Sequence, residues 1–425
     1  MRDRWCFLRA SYQAHAELLL FAVIIVGSAG CKPQMSPAVT ETLAEDEVFA
    51  GRLVLGSPSI TAGIPGTGHL SITDIRRWLA DPNNHRVLEV TLPLGLRNSQ
   101  VVPIPAENPL TRAKIELGRQ LFSDTRISKD QRLACVTCHS AKKRFTSDQI
   151  SHPRLRETAV AFNRVFGHEH FWDGRAKSLE DQIRFTLEHP DEMNTSPTEC
   201  VQQIGSVEGY RLQFDAVFGK LDFDSLCQAI AAFLRTIVTG PSIWDYDVEL
   251  RRLDELESAE LSQFDKAYVE NIRQAAASQP LSAAARRGAE LFFSERTGCS
   301  RCHSGPNFSD ERFYDIGLRQ LVPDSFTVRK ETEDLGRFQV TNKKSDKYAF
   351  KTPTLRNVQL TGPYFHDGRF QTLGDVIDYF SRGGDVPNHE LRPLNLSRDE
   401  ILDLIAFLKS LTSSLPNPPR DRLPP

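Results

Sequence analysis

A chain of 425 residues, 40% of them hydrophobic, is long enough for two or three domains with sizeable cores. Its 52 Lys and Arg against 55 Asp and Glu leave a formal net charge of -3. That balance excludes the basic surface on which nucleic-acid binding depends.

The N-terminus reads as an export signal. Arg2, Arg4 and Arg9 precede an apolar run from Leu18 to Val26, too short to span a bilayer as a mature helix. Gly27-Ser28-Ala29-Gly30-Cys31 follows, small residues before a cysteine that resemble a bacterial lipobox. Residues 1–31 are therefore expected to be a lipoprotein-type signal peptide, with Cys31 lipid-anchored in the periplasm. Ordinary cleavage nearby, or an uncleaved anchor, is the other reading, because Ser28 stands where such boxes carry leucine.

Residues 32–107 hold a polar tether and a small ordered extension. Ser71-x-x-Asp74 predicts a capped helix there with Ile75, Trp78 and Leu79 on one face, and nothing in it suggests chemistry. A first domain is expected over 108–240. Thr111 can cap a helix whose Ala113, Leu117 and Leu121 share a stripe. Cys135-Val136-Thr137-Cys138-His139 comes next. Two thiols three apart can each add to a haem vinyl group, and the adjacent histidine then serves as proximal iron ligand. After a loop-like stretch to Arg156, Asp224 is expected to open a helix with Leu226, Ile230, Phe233, Leu234 and Ile237 inward.

Residues 241–280 are charged and helical, a linker. The second domain, 281–412, carries Cys299-Ser300-Arg301-Cys302-His303, a second haem motif. Its insertion from Glu311 to Phe350 suits short strands. A Ser397-x-x-Glu400 capping box opens the last helix, with Ile401, Leu404, Ile405 and Leu408 as its apolar stripe. The Pro-rich tail, 413–425, is expected to be loose.

The two domains are internal repeats. Thr158 to Ile183 aligns without a gap on Thr352 to Ile377, sharing Asn163/Asn357, Phe171/Phe365, Asp173/Asp367, Gly174/Gly368 and Arg175/Arg369 among others. Gly-x-x-Leu-Phe precedes each haem motif, at Gly118 and at Gly288. The rival for the cysteines is one tetrathiolate zinc shared by both pairs, which leaves His139 and His303 unexplained. Of the other cysteines, Cys200 and Cys227 either pair or remain buried thiols.

The halves also differ. The first has Gln182 and then Glu192, whereas Val376 stands at the place equivalent to Gln182. Peroxide cleavage needs a base that moves a proton from one peroxide oxygen to the other, work that suits a carboxylate. On composition alone Glu192 is a solvated loop acid.

From about Asn108 to Thr412 the chain resembles the bacterial di-haem cytochrome c peroxidase and MauG superfamily. The likeness rests on Phe171-Trp172-Asp173-Gly174-Arg175, Leu179-x-x-Gln182 and Glu192-Met193. It rests equally on Lys351-Thr352-Pro353-Thr354-Leu355-Arg356-Asn357 and Pro363-Tyr364-Phe365-His366-Asp367-Gly368. The resemblance implies an all-α fold of two tandem cytochrome c-like haem domains behind a small N-terminal extension. It implies two covalently bound c-type haems, with Glu192 as acid/base, Gln182 its companion and Trp172 an electron relay. It also implies an interdomain calcium on the carbonyls of Thr361 and Pro363, with Glu157 at a third position that is typically Asn. The implied function is reduction of hydrogen peroxide with electrons from a small donor such as cytochrome c, entering through the second haem, with a homodimer as the assembly. A MauG-like oxidase acting on Trp or Tyr of a partner protein is the alternative, and a non-catalytic electron carrier is a third.

Departures from the family bear on mechanism. Gln149 stands where the peroxidases place a loop histidine over the first haem, and His152 is the nearest substitute. Phe380 occupies the usual position of the second haem's sixth ligand, commonly Met or Tyr. Tyr379 is turned about 100° away on a helix, and Met1, Met35 and Met193 are the chain's only methionines. His366 is expected either near the second haem or in a structural hydrogen bond. His168, His170, His189 and His389 are expected at the surface or in loops.

Overall fold

The computed structural model describes residues 48–49, 51–97, 102–147, 156–257, 261, 264, 266–319, 321–323, 331–386, 390–420 and 422–425. The export segment with Cys31, the tether, Gln149, His152 and His389 lie outside them.

The extension folds around β1 (Val48–Phe49), β2 (Arg52–Val54) and β3 (Val90–Thr91), with β2 antiparallel to β1 and parallel to β3. Between β2 and β3 runs α1 (Ile72–Ala80), where Ser71 Oγ accepts the Asp74 amide at 3.1 Å and satisfies a free helix donor. Leu55, Ile60, Leu92 and Leu96 enter the main core, so the extension is part of the first half's packing.

In the first half, Thr111 caps α2 (Arg112–Ser123), and Ala113, Leu117 and Leu121 are buried. Then come α3 (Leu179–Glu188), α4 (Pro197–Gly205), α5 (Glu208–Phe218) and α6 (Phe223–Arg235). The helix expected to open at Asp224 is capped two residues earlier. Asp222 accepts the Ser225 amide at 2.8 Å while Ser225 Oγ accepts the Asp222 amide at 3.0 Å. That reciprocal box leaves Asp224 in the first turn, and Ile237 falls beyond the helix end.

The linker contains α7 (Ile243–Asp254) and α8 (Lys266–Ser278). The second half has α9 (Ala283–Phe292), α10 (Leu373–Arg382) and α11 (Arg398–Ser410), around a second core of Phe292, Phe308, Leu404 and Phe407. Its insertion holds β4 (Phe313–Tyr314), β5 (Leu321–Pro323), β6 (Glu331–Glu333) and β7 (Phe350–Lys351). β4 pairs with β7 and β5 with β6, both antiparallel. The protein is mostly helical, and each of these strands is two or three residues long.

The sequence repeat is a backbone repeat. Asn163 and Asn357 both take left-handed conformations, φ 56° and 57°, as do Phe171 and Phe365 at 66° and 67°. Each Asn ties the end of a core helix. Asn163 Oδ1 accepts the Thr239 amide at 2.9 Å, and Asn357 Oδ1 accepts that of Ser413 at 2.7 Å. The glycines of Gly-x-x-Leu-Phe are there for close helix crossing. A Cβ on Gly118 would stand 1.9 Å from Ala229 O of α6, and one on Gly288 1.9 Å from Asp403 O of α11.

The tail is not loose. Arg119 donates to Pro419 O at 2.5 Å and to Arg422 O at 3.1 Å, and Arg126 donates to Pro424 O at 2.7 Å. The Leu70 amide donates to Leu423 O at 3.1 Å. Arg422 is buried, its guanidinium in a ring of carbonyls from Ile64, Pro65, Thr67 and Gly68. Prolines prevent a helix and so leave their neighbours' carbonyls free, and buried arginines take them up. Arg422→Ala should therefore destabilise the protein by about 1–3 kcal/mol. Thermal unfolding reads this directly, and an unchanged midpoint would contradict the strapping role.

Candidate active site

Each haem motif forms one tight turn. The His139 amide donates to Cys135 O at 2.9 Å and the His303 amide to Cys299 O at 3.0 Å. Each ring then bonds a carbonyl through Nδ1, His139 to Phe145 O at 3.1 Å and His303 to Phe308 O at 3.0 Å. A carbonyl only accepts, so Nδ1 carries the proton and Nε2 keeps its lone pair. Burial lowers the pKa of both rings and keeps them neutral. Cys135, Cys138, Cys299 and Cys302 are free and partly exposed. Two thiols beside a neutral, oriented imidazole is the donor set that a covalently attached haem requires, and it occurs twice.

Among the described residues no three His, Cys, Asp or Glu side chains gather around one point, so the two cysteine pairs do not share a zinc site. Cys200 and Cys227 are buried free thiols, with no disulfide between them.

Ser178 caps α3 by accepting the Asp181 amide at 3.0 Å. Gln182 and Thr186 lie one turn apart on one face of this helix. The chain after α3 folds back, with the Met193 amide on Thr186 O at 3.4 Å and the Glu192 amide on His189 O at 3.0 Å. This return brings the partly buried Glu192 carboxyl close to the Thr186 hydroxyl, which favours its charged form. Burial raises the Glu192 pKa, against the lowering pull of His189 and Arg175. The carboxylate is also near enough to oppose ionisation of Cys138 in the first haem motif. Thr186 and Arg175 are the residues missed as partners of Glu192. The four-residue spacing from Gln182 to Thr186 is the signal that finds the first.

Trp172 lies where the two halves meet. Its Nε1–H donates to Glu157 O at 2.8 Å, and its carbonyl accepts the Lys351 amide of β7 at 2.8 Å. The same turn is gripped by the second half's insertion. Arg156 bridges Asp173 and Asp334, and Arg337 donates to Asp173 O and Gly174 O.

The Glu157 amide donates to His366 O at 2.7 Å, which sets the residue beside the turn that contains Thr361 and Pro363. Glu157 is 5% exposed, and neither carboxyl oxygen has a protein partner. Burial pushes its pKa up to about 7. An orphaned buried carboxyl of this kind suits a hard cation with oxygen ligands.

One histidine corrects an expectation. His170 is buried at 2% exposure, with Nδ1 lacking a partner and its pKa driven far down by burial and then by Arg164 and Lys351. Its turn closes on Ala176, an arrangement that the second half repeats between Tyr364 and Phe370. His366 stacks on Phe350, with ring centroids 3.5 Å apart.

At the second motif, the Tyr379 hydroxyl donates to Ile316 O at 2.7 Å and the residue is fully buried. Phe380 packs edge-on against Phe365 at 5.9 Å. Met193, the methionine among the described residues, is buried in the first half's core. The wild-type optical spectrum should therefore lack a methionine-to-iron band near its red edge, and Phe380→Met should gain one. A band already present in the wild type would contradict this assignment.

A family described as di-haem cytochrome c peroxidase matches residues 112–252. The methylamine utilization protein MauG of Methylorubrum extorquens is 35% identical over 330 residues, 74% of this chain and 82% of that protein. Cytochrome c551 peroxidase of Pseudomonas aeruginosa is 32% identical over 330 residues, covering 74% and 84%. A crystal structure of a MauG-like protein associated with microbial copper homeostasis superposes with a TM-score of 0.58 at 25% identity, over 73% of this chain and 93% of that one.

Proposed function

This chain belongs to the di-haem cytochrome c peroxidase family, and on that premise we propose that it reduces hydrogen peroxide to water in the periplasm with electrons from a small donor such as a cytochrome c. Family membership implies two c-type haems. The observation that carries the reading is the partly buried Glu192 carboxyl, which the fold-back after α3 brings near Thr186 and the first haem motif. The second half has no counterpart to Gln182, and Val376 stands there instead.

When bound, each haem supplies an iron that takes and gives single electrons. Cys135 and Cys138 would hold the first haem through thioethers and Cys299 and Cys302 the second, and the Nε2 lone pairs of His139 and His303 would serve the irons. The ionised Glu192 carboxylate accepts the proton from one peroxide oxygen and delivers it to the departing oxygen. Gln182, on the face of α3 that carries Thr186, orients the peroxide with its amide. Trp172, tied to both halves, is the electron relay. Lipid anchoring at Cys31 and assembly as a homodimer are part of the same proposal.

Glu157, with the carbonyls of Thr361 and Pro363, would hold the calcium. The raised pKa of Glu157 sets the sign of its effect. Without a cation the folded state keeps a proton that the unfolded state releases above the ordinary carboxyl range. Stability is then lost as pH rises from about 4.5 to about 7. Calcium favours the ionised form. A chelator should therefore lower the unfolding midpoint at pH 8 and leave it nearly unchanged at pH 5. Equal effects at both pH values would remove Glu157 from the ligand set.

The missing methionine supports a second reading, a MauG-like oxidase acting on Trp or Tyr of a partner protein. Methionine ligation raises haem potential and suits uptake from cytochrome c. Retention of Glu192 and Gln182 argues against a mere electron carrier. The deciding experiment is peroxide turnover with reduced cytochrome c, on protein shown by pyridine haemochrome to hold two thioether-linked haems. Turnover supports the peroxidase. Peroxide consumption that leaves cytochrome c reduced supports the oxidase, and absence of covalent haem overturns both.

A further inference from the structure

We propose that Tyr314 is a redox-active residue that gives one electron towards the second haem while its phenolic proton passes to Asp310. The inference rests on the peroxidase reading and goes beyond it. The Tyr314 hydroxyl donates to Asp310 Oδ2 at 2.6 Å. The Asp310 amide is itself bonded to the carbonyl of Cys302, one of the two cysteines that would hold the second haem.

The pair is held from several sides. The Asp310 amide donates to Cys302 O at 2.9 Å, and Asp310 Oδ1 accepts the Arg312 amide at 3.0 Å, which leaves Oδ2 for the phenol. Tyr314 is fixed in β4 opposite Phe350 of β7, and the next residue of β7, Lys351, bonds Trp172. Of the other tyrosines described in this half, Tyr364 and Tyr379 donate to the carbonyls of Val358 and Ile316, and Tyr348 donates to the exposed carboxylate of Glu333 in β6. A carbonyl is too weak a base to keep a proton, whereas a carboxylate accepts one. Tyr314 is only partly buried, so it stands between the haem attachment and the surface.

The step balances. The phenol O–H bond breaks, the proton goes to Asp310 Oδ2, and one electron goes to the second haem after peroxide has oxidised the protein. A neutral phenoxyl radical and a neutral carboxylic acid remain. An external one-electron donor restores the electron, and Asp310 returns the proton.

The test is freeze-quench electron paramagnetic resonance on haem-loaded protein mixed with hydrogen peroxide and no donor. The wild type should show a tyrosyl radical. Tyr314→Phe should lose it while keeping two covalent haems, and Asp310→Asn should lower its yield several-fold. An identical signal in Tyr314→Phe overturns the proposal. So does a wild type that consumes peroxide without forming a tyrosyl radical. A wild type that consumes no peroxide overturns the peroxidase reading and this proposal with it.

Discussion

Replacing Glu192 with Gln should slow peroxide cleavage by about 10²–10⁴-fold while both haems stay attached. The substitution keeps the side chain's size but replaces a basic carboxylate with an amide too weakly basic to carry a proton between the two peroxide oxygens. The wild-type pH profile provides an internal check. Glu192 acts as a base only when ionised, and burial raises its pKa. The rate should therefore fall on acidification at a pH above the ordinary carboxyl range, and Glu192→Gln should lose that limb. Thr186→Val removes a hydroxyl that favours the charged form. It should move the limb to still higher pH while leaving the plateau rate much less affected. Stopped-flow mixing with peroxide measures both quantities. An unchanged rate in Glu192→Gln would assign the proton transfer to another group.

Much of this was legible in the sequence because it depends on local geometry. Cys-x-x-Cys-His is one turn of chain, and the caps at Ser71, Thr111 and Ser397 are bonds within four residues. The repeat was legible because both halves solve one packing problem. Gly118 and Gly288 allow a close helix crossing, and Asn163 and Asn357 tie helix ends. What failed to show was long-range. Arg422 meets carbonyls more than 350 residues earlier in the chain, and no local pattern announces such a contact. Thr186 and Arg175 join Glu192 only after the chain returns past α3. Burial of His170 likewise goes with a turn that closes on Ala176, and its lowered pKa reflects that burial first and then Arg164 and Lys351, one from each half.

A single long-range contact of this kind should have a large effect on stability. Arg356, 1% exposed, pairs with Asp245 through its two terminal guanidinium nitrogens at 2.8 and 3.0 Å. Its remaining donors reach Pro306 O at 2.7 Å and Gly95 O at 3.0 Å. One side chain thus joins the extension, the linker helix α7, the turn after His303 and the Thr352–Asn357 motif. Asp245 also accepts from the amide and hydroxyl of Ser242 and so caps α7. Asp245→Asn keeps the shape but leaves a buried guanidinium without its counter-charge, at an expected cost of about 3–5 kcal/mol in denaturant unfolding. The cost should come mainly from the stranded charge, because a buried ion pair contributes little over an apolar pair of similar volume. Adding Arg356→Met to Asp245→Asn should then recover a large part of the loss. A double variant as unstable as the sum of the two single variants would mean that the four-way hydrogen bonding, and not the charge, holds these segments together.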